Sequence, residues 1–123
     1  CSPPISNLTK AILTIRGFEE AVGGGPGDCD NQINSDNTPI VALSTGWFSN
    51  GKRCHRFINI HGNGKSVKAM VVDECDSNGG CDSVHKFKPP CPNDIVDASK
   101  AVWEALGVPE NDRSSMEITW SDA

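Results

Sequence analysis

Apolar and polar positions alternate most clearly over Val67, Ala69 and Val71, with Lys68 and Met70 on the other face, a period-two pattern that predicts a half-buried strand over Ser66 to Asp73. Similar β-branched or apolar segments run from Ala11 to Arg16, Ile40 to Ser44, Arg53 to Ile60 and Met116 to Trp120. Clusters of Gly, Asn, Asp and Pro separate them, the punctuation of a small mainly β domain. Asn50-Gly51 and Asn63-Gly64 carry residues that accept positive φ cheaply, so each predicts a tight hairpin turn. One segment has helical spacing instead: Ala101, Val102, Ala105 and Leu106, with Ser99 or Asp97 as the cap and Gly107 and Pro109 at the end. The polar, Gly-rich stretch from Glu19 to Pro39 reads as a long loop, which Cys29 would staple.

A chain of 123 residues, 37% of them hydrophobic, sets the scale at one domain spanning residues 1–123 around one core. Its six cysteines, Cys1, Cys29, Cys54, Cys75, Cys81 and Cys91, include no CxxC pair. That pattern predicts three structural disulfides, and hence a secreted, extracellular protein, with the pairing left open. The sequon Asn7-Leu8-Thr9 fits the same compartment and marks Asn7 as a candidate glycosylation site. The start at Cys1, without a charged and apolar leader, reads as a mature fragment. No apolar run approaches the roughly 18 residues of a membrane span, so no membrane partner is expected. A net charge of -5 lacks the clustered Lys and Arg of a nucleic-acid binder.

Three motifs imitate ligand sites and fail on their chemistry. The run from Asn59 to Ser66 ends in Gly-Lys-Ser like a phosphate loop, but Asn59 occupies the first Gly position and a strand follows where a helix must start. The run from Asp28 alternates oxygen ligands like a calcium loop, but Ile33 stands where the turn Gly belongs and Pro39 where the bidentate Glu belongs. His55, His61 and His85 match no zinc spacing, and cysteines held in disulfides cannot ligate. No metal and no cofactor is expected.

The segments SPPISNLTKAILTIRGFE, GGGPGDCDNQ, IVALSTGWF, VVDECDSNGGCD, PPCPNDIVDASKAVWEALGVPE and ITWSDA resemble the kiwellins, ripening-related, grip-type secreted plant proteins, and cover almost the whole chain. Kiwellins are similar to barwin and to the first domain of expansins. The resemblance therefore implies a six-stranded double-psi β-barrel with one or two short helices and disulfide-stapled loops. It also implies one short strand beyond the five read from periodicity.

Along the expansin pattern, the acid that follows TFYGG falls on Glu20, and the acid of the His-Phe-Asp triplet falls on Asp97. These are the candidate groove acids, where paired carboxylates could act on a glycan. Arg16 replaces the expansin Tyr, and Ile95 and Val96 replace the His and Phe. The resemblance thus implies a non-catalytic protein. Some kiwellins bind and inhibit secreted enzymes of fungal pathogens, a chorismate mutase among them, so a secreted pathogen protein is the expected partner and a monomer the expected state. A cell-wall polysaccharide is the alternative partner, and an accumulated storage-type or allergenic protein the third reading. The candidate binding surface is Trp47 and Phe48, aromatics beside a turn, with the acids Asp76 and Asp82 on either side of the Gly79-Gly80 reversal.

Overall fold

The computed structural model describes residues 5–18, 27–30, 32, 34–75 and 92–123. Six strands close into a barrel: β1 (Thr9–Ile15), β2 (Ile40–Ser44), β3 (Phe57–Gly62), β4 (Lys65–Cys75), β5 (Ile95–Ala98) and β6 (Ser115–Asp122). Their order around it is β1-β5-β2-β4-β3-β6, with β1–β5 and β2–β4 parallel and the other four pairs antiparallel. Closure leaves no edge strand to pair with another chain.

Alternation in the strands decides what fills the barrel. Leu13, Val41, Leu43, Ile58, Ile60, Ala69, Val71, Val96 and Trp120 point inward and are all fully buried. Strand β2 is buried along its whole length, because its other face carries Ile40 and Ala42 against Phe18 and Val72 in a second, smaller cluster. That is why its five residues show no polar alternation.

The Asn63-Gly64 hairpin forms as expected between β3 and β4, with both residues at positive φ (52° and 73°). Asn63 also donates from Nδ2 to the Leu106 carbonyl at 2.8 Å, tying the turn to the end of the helical segment. The Asn50-Gly51 hairpin does not form. Strands β2 and β3 are not neighbours, so residues 45–51 coil instead as a short helix α1 (Thr45–Phe48) and one 3-10 turn. The candidate surface aromatics are corrected with it. Helix α1 caps the barrel end, and Trp47 and Phe48 are 1% and 6% exposed within the core.

Strand β3 begins at Phe57, later than expected, because Arg53 to Arg56 turn, with His55 at φ 61°. The helical segment is shorter than its apolar spacing suggests: α2 covers Lys100–Ala105, and Asp97 is no cap but a residue of β5. Ser99 precedes α2, yet its hydroxyl donates to the Thr38 carbonyl at 2.8 Å and accepts from the Ile40 N–H at 3.3 Å.

The expected staple is present in the long loop. Cys29 bonds Cys54, Asp30 lies 2.9 Å from His55 beside it, and the Cys29 N–H reaches the Val72 carbonyl. Gly27 is required there, since a Cβ would stand 2.5 Å from the Val72 carbonyl oxygen. Cys75 is also disulfide-bonded. Asn7 is exposed in the turn before β1, while the Thr9 hydroxyl is held by the Ser6 backbone. Glu20, Asp76, Asp82, Cys1, Cys81 and Cys91 lie outside the described residues.

Candidate functional site

The barrel brings together residues that the sequence keeps far apart. Thr14 pairs with Asp97, Asp97 with Ala42, and Ala42 with Asp73, one row across β1, β5, β2 and β4. Asp73 enters this row only because of a bulge: Val41 opposes Val71, but Ala42 opposes Asp73, so Val72 is skipped. A bulge of this kind re-aims the side chains that follow it. Ala42, between the two acids, has only a methyl group.

Arg16 follows β1 and spans that gap. Its Nη1 lies 3.3 Å from Asp73 Oδ2 and its Nε 3.5 Å from Asp97 Oδ2, while its guanidinium sits 5.4 Å from the Phe18 ring centre. The carboxylates are 12% and 15% exposed, so water screens them little. Asp97 also accepts from the Thr14 hydroxyl at 2.8 Å, and Asp73 Oδ1 accepts from the N–H groups of Asp28 and Glu74. Asp73 thereby has three donors and Asp97 two.

Burial raises the Asp97 carboxyl above its ordinary value of 3.8, and the Asp73 charge adds to this; the Thr14 bond and Arg16 oppose it. Asp28 is raised as well, first by burial and then by Asp73 and Glu74, with Arg16 again opposing. A carboxyl with a raised folded pKa binds more protons folded than unfolded. Its contribution to stability is therefore greatest below 3.8 and is lost as pH climbs through the raised value. Asp97→Asn is expected to flatten that part of the decline, leaving the part from Asp28. Thermal melts of both proteins between about pH 3 and pH 7 check this, and a steeper decline in the variant would contradict it.

Of the expected groove pair, Asp97 lies on β5 beside Arg16 and Glu20 lies outside the described residues. Reading the sequence missed Asp73, Arg16 and Thr14 as its partners. The one available signal was Arg16 itself, a cation where the expansin pattern has a Tyr. Among the described residues, no group of three or more His, Cys, Asp and Glu could hold a metal ion.

A closed six-stranded barrel with two parallel pairs defines the fold class: an expansin-like double-psi β-barrel. Known structures agree. A mutant Clavibacter michiganensis expansin in complex with cellohexaose superposes with a TM-score of 0.67 at 18% identity, over 94% of this chain and 50% of that one. The Streptomyces papain inhibitor superposes with a TM-score of 0.65 at 21% identity, over 96% of each chain. Within this class the sequence is specific. The Kiwellin-1 family model matches residues 1–123, and kiwellin of Actinidia chinensis var. chinensis is 54% identical over 100% of this chain and 58% of its own length. The chain belongs to the kiwellin family. It spans 56% to 65% of the length of the first three curated relatives it matches.

Proposed function

We propose that the chain is a secreted plant defence protein that binds and inhibits a secreted pathogen protein, an enzyme such as a fungal chorismate mutase, and catalyses no reaction itself. The observation that carries this reading is Arg16. It occupies the space between Asp73 and Asp97 and holds both carboxylates, where a glycan hydrolase keeps an acid and a base apart and open to the scissile bond. The row is scaffold, and the outer surface is left for recognition.

Two further observations support binding. A barrel closed on itself holds the segments at Cys29 and Cys54 in one arrangement through their disulfide, so these lose little entropy on association. The Streptomyces papain inhibitor, whose chain matches this one over 96% of both, is named for inhibiting an enzyme. The disulfide bonds also favour an oxidising compartment, so the apoplast or cell wall is the proposed location, with the exposed Asn7 accessible to a glycan. The alternative, polysaccharide binding along the groove, draws on the expansin complex with cellohexaose. It is weakened by the burial of Trp47 and Phe48, which leaves them no face for a sugar.

Immobilised chain exposed to a pathogen culture filtrate tests the proposal. A soluble, stoichiometric complex with one secreted enzyme is expected, and the isolated enzyme loses turnover when the chain is added back. Recovery of no partner with the chain well above micromolar concentration counts against it.

A further inference from the structure

On a protein with net charge -5, four of the eleven Lys and Arg residues converge on one shallow pocket. Among the described residues, Lys52, Arg53, Arg56 and Lys68 line it together with one acidic side chain, Asp122, and with Ala123. Arg53 is committed: it pairs with both carboxylate oxygens of Asp122 at 3.0 and 3.1 Å, donates to the Trp47 carbonyl and packs over Trp120. Lys52, Arg56 and Lys68 make no side-chain ion pair with any described residue. They therefore present three positive charges, with no acidic partner among the described residues, around one volume.

Phe57 lies among them. It is 47% exposed, whereas Ile58 and Ile60 of the same strand are fully buried. Register places Phe57 opposite Met70 and Asn59 opposite Lys68 on β4, so ring and ammonium share the outer face of the sheet. Lys68 is five residues along β4 from Asp73, about 16 Å, which separates this pocket from the acid row.

We propose that this pocket binds an acidic polysaccharide whose repeating unit is a pyranose bearing a carboxylate. The C–H face of one ring lies on Phe57, and the carboxylates of that unit and its neighbours pair with Arg56, Lys68 and Lys52. The apolar content and the closed sheet favour this ligand over a protein. The volume, about 770 Å³, falls in the range of small-ligand pockets. A single exposed ring does not supply the apolar core of a protein interface, which needs roughly 800 Å² from each partner. The closed barrel has no free strand edge for an acidic peptide to extend, so a peptide would be held by charge alone.

The test is titration of the whole chain with a galacturonic acid decamer at low and at moderate salt, followed by calorimetry. Cellohexaose serves as the neutral probe and polyglutamate as the acidic peptide. Binding of the decamer alone is expected, weakening as salt rises. Phe57→Ala and the double variant Arg56→Glu/Lys68→Glu are each expected to lose at least about tenfold in affinity while melting near the wild-type temperature, since all three side chains are exposed. The proposal is overturned if the decamer does not bind, if the variants bind it like wild type, if cellohexaose binds equally well, or if polyglutamate does. Inhibition of a pathogen enzyme is a separate readout, and neither result decides the other.

Discussion

Replacing Trp47 with alanine is expected to lower the unfolding free energy by about 4 kcal/mol, roughly 15 °C in melting temperature for a domain of this size. The indole is 1% exposed and meets Trp120 edge to face, centroids 5.3 Å apart at 73°. Relaxation into the vacated space is limited, because Trp120 is itself covered by Arg53, which is fixed through Asp122 and the Trp47 carbonyl. The cost therefore includes a cavity as well as lost transfer energy. Urea or thermal unfolding measures it. This result matters for function, because loss of partner binding in such a variant would report on folding. A drop of only a few degrees accompanied by lost binding would instead place Trp47 at an interface.

The second large effect concerns the staple. The Cys29–Cys54 bond closes a loop with a sequence separation of 25, for which chain entropy gives about 3.5 kcal/mol of stabilisation. Changing both residues to alanine is expected to remove about that much. The consequence reaches the acid row, since the Asp28 N–H that binds Asp73 hangs from the same loop. Chemical denaturation measures the loss. A change below about 1 kcal/mol would mean that the Gly27, Asp28 and Cys29 backbone contacts hold the loop without the bond.

Much of the barrel was legible because its strands obey local rules. β1, β2, β4 and β6 lie within two or three residues of the segments read from alternation, and Asn63-Gly64 fixed the β3–β4 turn. Strand β5 escaped because Ile95–Ala98 is only four residues long and runs into the helical spacing after it. Composition could not tell it from a helix start. Trp47 and Phe48 beside Asn50-Gly51 resemble a turn surface, and only the order β2-β4-β3 shows that no hairpin forms there.

The acid row was less legible for a stronger reason. Its members come from four strands and the end of one, and Asp73 joins them through a one-residue register shift that no local pattern encodes. Arg16 was visible as a departure, but its position between two carboxylates depends on the parallel pairing of β1 with β5. The basic pocket is of the same kind: Lys52, Arg56 and Phe57 meet Lys68 only after β3 folds back on β4.

The central claim is that the barrel binds and does not catalyse. Its most direct measurement titrates a captured pathogen enzyme with the chain while following that enzyme's turnover, with reducing-sugar release from β-glucan followed in parallel. Turnover is expected to fall to its floor near one equivalent, equally for wild type and Asp97→Asn, with no reducing ends released. Unchanged turnover together with reducing ends that accumulate for wild type and vanish for Asp97→Asn would contradict it.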